Sequence, residues 1–134
     1  GGDIAPGDYT VTQGWQDELE GILDFHNANQ PIPQKRKFEL VQGDATKTLP
    51  RYLEDNPETI VAMAYFDFDL YEPTKVCLEA LLPYLTKASV LAFDELNCPE
   101  FPGETIAFRE VLGLSRYAIR RDPNNPLISW LVIE

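Results

Sequence analysis

Asp67 and Asp69 stand one pleat repeat apart in AYFDFDLYEPTK, where an apolar run ends, and Asp94 and Glu95 close a second apolar run in SVLAFDEL. A third stretch, FELVQGDA, carries Asp44 just past its apolar residues. An ionised carboxylate taken out of water without a partner is costly. In open α/β sheets ligands bind beyond the carboxyl ends of the strands. Parallel neighbours would therefore gather these five acids on one edge. So many like charges repel unless protons or a cation intervene. An all-oxygen set suits Mg²⁺, Mn²⁺ or Ca²⁺ rather than zinc, with a substrate hydroxyl beside the ion. The competing reading is plainer: strand ends are loops, and loops are acidic in a chain this acidic.

The elements that must position these acids follow from periodicity. Trp15, Leu19, Ile22, Leu23 and His26 recur at helical spacing and predict an amphipathic helix. QPIPQKRK interrupts it with two prolines and a basic cluster, Lys35 to Lys37. KFELVQGDA predicts a short strand, and TKTLPRYLEDNP a short helix with Thr48 as its N-cap and Pro50 in its first turn. Thr59 to Phe66 is apolar almost without alternation, as expected of a strand covered on both faces. EPTKVCLEALLPYL is helical, with Pro83 marking its last turn, and ASVLAFDEL is a second buried strand. Residues 104 to 112 form a helix closed by Gly113. RYAIRRD and LISWLVIE flank PNNP as an antiparallel hairpin. The opening residues, 1 to 13, read as loop. Alternation of this kind predicts an α/β sheet, mostly parallel, with helices on both faces.

Length and charge bound the function. At 134 residues the chain is read as a single domain, 1–134, short for an α/β enzyme with its own cofactor. A formal net charge of −11 repels phosphate backbones, so nucleic acid is not an expected partner. No apolar run approaches membrane-spanning length, and no membrane partner is expected. Cys77 and Cys98 lack CxxC spacing. Two such cysteines imply free thiols and a reducing, cytoplasmic setting.

FELVQGDATKTLP, the run AYFDFDLYEPTKVCLEALLPYLTKASVLAFDEL, and PEFPGETIAFREVLG together resemble S-adenosylmethionine-dependent O-methyltransferases. The closest group is the macrocin-type family, whose members methylate sugar hydroxyls. The resemblance covers about residues 36 to 134, and its specific part is Phe66 to Glu95. It implies a Rossmann-like class I methyltransferase sheet with an antiparallel C-terminal hairpin. It also implies S-adenosylmethionine as donor, Mg²⁺ or another hard divalent cation, and a sugar, nucleotide-sugar or related small-molecule hydroxyl as acceptor. By position, Asp67, Asp94 and Glu95 would hold the metal and Asp69 would be the general base. Asp44, with Ala45, would meet the donor's adenine. Glu95 departs from the usual second aspartate.

One expected feature is missing. The family binds its donor on a Gly-rich turn after the first strand, and no E/D-x-G-x-G stretch occurs here. The resemblance therefore implies a sheet lacking its first strands, with the acceptor and metal half present and much of the donor half absent. Isolated activity is then not assured, and homo-oligomerisation through exposed sheet edges is expected. Two rivals stand beside the enzyme. One is a non-catalytic binding or oligomerising module derived from a methyltransferase; the other is a metal-dependent hydrolase using the same acids. Among smaller candidates, His26 reads as a boundary residue, Trp15 and Trp130 as packing aromatics, and the basic cluster as a solvated loop. PGET, residues 102 to 105, either lines an acceptor pocket or only starts a helix, and at most one of Arg120 and Arg121 can face the site.

Overall fold

The fold is that of a computed structural model, which describes residues 14–125 and 127–134; the loop expected over residues 1 to 13 lies outside them. The chain divides into two compact units, residues 1–42 and 43–134.

In the first unit, the predicted amphipathic helix forms as α1, Trp15–Ala28. Acidic Asp17 and Glu18 in its first turn favour the positive end of the helix dipole. The Asn27 side chain stitches the following loop to α1: its Oδ1 accepts from the Lys37 amide at 3.2 Å and its Nδ2 donates to the Pro33 carbonyl at 2.9 Å. Arg36 pairs with Glu20 and lies over the Phe38 ring. No residue of α1 is buried. Its apolar stripe, including Trp15, Ile22 and Phe25, is exposed, so Trp15 lies outside the core. Residues 36 to 43 form no strand, which corrects the reading of KFELVQGDA. Alternating apolar residues make a strand only where a ladder partner exists, and among the described residues no strand pairs with them.

The second unit holds α2 (Ala45–Asp55), β1 (Val61–Phe66), α3 (Tyr71–Leu81), β2 (Leu85–Phe93), α4 (Gly103–Val111), β3 (Arg120–Arg121) and β4 (Ser129–Val132). The sheet order is β1-β2-β4-β3, with β1 and β2 parallel and β4 antiparallel to both its neighbours. Parallel β1 and β2 are joined by a helical crossover, and the chain ends in the predicted hairpin. Helix α2 begins at Ala45, three residues before the predicted N-cap. Asp44, not Thr48, caps it, its carboxylate accepting from the Thr46 amide at 3.0 Å, which leaves Pro50 inside the helix. Pro83 falls in a single 3₁₀ turn, Leu82–Tyr84, that ends α3, and Gly113 (φ 76°) follows α4 as expected.

Period-two alternation sorts the sheet residues. Phe66, Leu91, Phe93 and Leu131 point to one side, where they meet Leu53 of α2, Cys77, Leu78 and Leu81 of α3, and Phe108 of α4. All three helices thus serve one face. The opposite face presents Met63, Tyr65, Val90, Ala92 and Trp130 around a shallow apolar groove of about 310 Å³. The expectation that β1 is covered on both faces is corrected: Met63 is 61% exposed. Both cysteines are buried and free.

Helices α3 and α4 are also tied at their surface. Glu110 accepts from the Tyr71 hydroxyl at 2.7 Å and from Lys75 Nζ at 3.0 Å. The hydrogen bond from Tyr71, then that from Lys75, holds the Glu110 carboxyl below its usual range. A depressed carboxyl contributes stability above its unfolded pKa and loses it as pH falls through the folded value. The stability difference between the natural chain and Glu110→Gln should therefore be present at neutral pH. It should shrink as urea midpoints are taken below the ordinary carboxylate range.

Candidate functional site: an acidic rim at the ends of β1 and β2

Phe66 and Phe93 are register partners in the parallel ladder, so the residues that follow them emerge side by side. The Asp94 amide donates to the Phe66 carbonyl at 3.0 Å, extending the pairing by one step. Asp67 and Asp94 are thereby delivered to the same end of neighbouring strands. Beyond Asp67 the chain turns sharply. Asp69 adopts a left-handed backbone conformation, φ 58°, which short polar residues tolerate better than most. The Thr74 hydroxyl then closes the turn into α3 by donating to the Leu70 carbonyl at 2.7 Å.

The electrostatics agree with this placement. Burial raises the Asp69 carboxyl above its ordinary value, and the negative charges of Asp67, Glu95 and Asp94 raise it further. The four acids are thus close enough to sense one another. Asp94 accepts a hydrogen bond from the Tyr65 hydroxyl. That bond, together with burial, pushes the Tyr65 hydroxyl well above its usual pKa. Glu95 Oε2 is buried with no hydrogen-bond partner among the described residues.

Beneath the rim lies Glu104, fully buried in the first turn of α4. Its Oε1 accepts from the Phe68 amide and its Oε2 from the Glu95 amide, each at 3.1 Å. Burial raises its carboxyl, while those two amides act in the opposite sense. Gly103 beside it is equally constrained. A Cβ there would stand 2.4 Å from the Asp69 carbonyl oxygen and from the Tyr71 nitrogen, and 2.6 Å from the Leu70 carbonyl carbon. Gly103 and Glu104 of PGET therefore pack under the acidic loops. Of the two hairpin arginines, Arg121 turns toward this end, donating to the Leu96 carbonyl at 3.3 Å.

The structure gathers Asp67, Asp69, Asp94 and Glu95, and places Asp44 and Ala45 at the start of α2. There Asp44 is engaged by the Thr46 amide and hydroxyl and by Lys47 Nζ at 3.2 Å, and the hydrogen bonds from Thr46 and Lys47 lower its pKa. The Ala45 carbonyl faces the Cys77 thiol at 3.5 Å. As the side chains stand, no three His, Cys, Asp or Glu residues among those described close on a common point. The donor chemistry nevertheless fits a hard cation: the rim is all oxygen, its charges crowd, and one buried carboxylate oxygen has no partner. Sequence patterns single out neither the Tyr65 hydroxyl nor, beyond its place in PGET, Glu104. Tyr65 pairs with Ala92 in the ladder, two residues before Asp94, and only that register puts its hydroxyl on the Asp94 carboxylate.

No protein-family model matches the chain, and no curated protein does. Among solved structures, the chain is similar to CalS11, a TDP-rhamnose 3′-O-methyltransferase of calicheamicin biosynthesis. With the apo form it shares 48% identity and a TM-score of 0.88 over 92% of this chain. With a second CalS11 structure the figures are 46%, 0.93 and 98%. The resemblance to a sugar O-methyltransferase holds. This methyltransferase-like chain spans about half of CalS11, 54% and 52% of the two structures. The O-methyltransferase NovP, at 18% identity and a TM-score of 0.61 over 99% of this chain and 54% of its own, shows the likeness of fold alone. The mixed sheet with its antiparallel C-terminal hairpin is the α/β, Rossmann-like arrangement expected, with four strands among the described residues. One of its three pairings, rather than most of them, is parallel. Among the described residues no helix is long and apolar enough to cross a membrane.

Proposed function

We propose that the chain carries the acceptor-side part of a single methyltransferase-like domain, one that transfers a methyl group from S-adenosylmethionine to a hydroxyl of a sugar or related small molecule with help from a hard divalent cation. The observation that carries this reading is the shared rim of Asp67, Asp69, Asp94 and Glu95, in a chain similar to a TDP-rhamnose 3′-O-methyltransferase. Asp67, Asp94 and Glu95 are the residues that would hold the cation. When bound, a cation there would lower the pKa of an acceptor hydroxyl and fix its direction. Displacement at a methyl group needs the acceptor oxygen in line, so orientation is the main task of the protein. Asp69 is the proton acceptor: burial and like-charged neighbours raise its proton affinity, which favours its taking a proton from the acceptor hydroxyl. Asp44 Oδ1 is committed to Thr46, but its other oxygen meets only the exposed Lys47 side chain. That oxygen can exchange Lys47 for the adenine amino group, with Ala45 beside it.

Titration calorimetry with Mn²⁺ on the chain and on Asp67→Ala tests the metal assignment. Saturable binding by the natural chain, lost in the variant, is expected; equal binding by both would remove Asp67 from the ligand set. A parallel titration with S-adenosylmethionine asks whether the chain holds the donor by itself.

A second reading, a non-catalytic module that associates with copies of itself, is favoured by one feature. Strand β1 is the last strand on its side of the sheet, so its outer backbone groups offer a template for another strand. Metal binding without donor binding, in a chain that sediments as a dimer, would support that reading. Two free buried thiols support a reducing, cytoplasmic setting.

A further inference from the structure

We propose that Glu104 is a positioning residue that sets the spacing of the acidic rim, its single carboxylate locking the Asp67–Asp69 loop to the Asp94–Glu95 loop. The argument begins with directions. The Phe68 amide lies between Asp67 and Asp69 in the chain, and the Glu95 amide belongs to a rim residue itself. Each donates to a different oxygen of one side chain that is 0% exposed. Glu104 cannot reach a ligand from that depth; it acts through the loops it holds. A carboxyl side chain offers two oxygens, so one residue can receive an amide from each loop.

The neighbours of Glu104 fix the same loops by independent contacts. Gly103 lets the backbone of 69–71 approach so closely that no Cβ fits between them. The Thr105 hydroxyl oxygen accepts from the Asn97 amide at 2.8 Å, where Asn97 is left-handed at φ 65°. Three successive residues of α4 thus hold both loops from below. Asp69 and Asn97, the left-handed non-glycine residues of these loops, are each pinned by this turn or packed against it. Strained backbone persists where its surroundings over-determine it. The first turn of α4 is therefore the template on which the rim is assembled, and Glu104 is its only bridge to both strand ends.

Amide hydrogen exchange by NMR tests the clamp without reference to any ligand. In the natural chain the Phe68 and Glu95 amides should exchange slowly although both lie in loops; rapid exchange at either would overturn the proposal. Glu104→Gln places an NH₂ against one of the two amides, so it should release one loop while the other stays protected. The inference rests on the proposed function only for its second readout, Mn²⁺ affinity. Outer-sphere partners of metal ligands are worth ~10–100-fold in affinity, and a loss of that size is expected for Glu104→Gln at a temperature where the variant is still folded. Wild-type Mn²⁺ affinity with both amides still protected in Glu104→Gln would overturn the clamp. If the natural chain binds no Mn²⁺ while its two amides are protected, the metal reading fails and the clamp stands. If Glu104→Gln does not fold, protection in the natural chain decides alone.

Discussion

Gly103→Ala is expected to disorganise the acidic rim and lower the melting temperature, although it adds one methyl group. The new Cβ would meet the Asp69 carbonyl oxygen and Tyr71 nitrogen at 2.4 Å and the Leu70 carbonyl carbon at 2.6 Å. All three are backbone atoms, so no side chain can swing aside. Either α4 or the 69–71 segment must move by about an ångström to restore ordinary contact, and overpacking of this kind costs ~1–3 kcal/mol, occasionally more. For a unit of this size each kcal/mol lowers the melting temperature by about 4–8 °C. The displaced segment carries Asp69 and abuts the loop clamped by Glu104, so Mn²⁺ binding should fail while far-ultraviolet dichroism stays close to that of the natural chain. A variant with unchanged melting and unchanged binding would show that the close approach has no consequence for the rim.

Phe93→Ala should have the largest effect on stability. Phe93 is 0% exposed. Its ring stacks on Phe66 with centroids 4.9 Å apart and 11° between planes, and meets the Phe108 ring edge-on at 5.3 Å. It therefore joins both paired strands to α4. Truncating a buried phenylalanine costs ~3–5 kcal/mol, the lost transfer energy plus the cavity left behind. Domains have only ~5–15 kcal/mol in total, so the variant should sit near its unfolding threshold at room temperature. Phe93→Leu, which keeps most of the volume, should lose much less. Urea midpoints check both; a loss below about 1 kcal/mol in Phe93→Ala would mean that the surrounding side chains collapse into the space.

The α/β alternation was legible because apolar spacing at helix and strand periods is a property of the chain itself. So was the pairing of acids at strand ends, since parallel neighbours must end together. What escaped depends on partners that periodicity does not contain. FELVQ alternates like a strand but has no ladder, and Thr48 resembles a cap only until Asp44, four residues earlier, is seen holding the Thr46 amide. The near-continuous run from Thr59 to Phe66 implied cover on both faces, yet α2, α3 and α4 all pack against one. Glu104 was unreadable for a different reason. An acid in a first helical turn is ordinary at the surface, and only the fold reveals that two backbone amides receive it in the interior.

That one-sided sheet has a colloidal consequence. Molecules presenting oily surface such as Met63 to water stay dispersed only while something keeps them apart, and here it is the formal net charge of −11. Near the isoelectric point of about 4.4 that mutual repulsion vanishes. Mild acidification should therefore clump the protein before it denatures it, and added salt should narrow the safe range by shortening the reach of the charges.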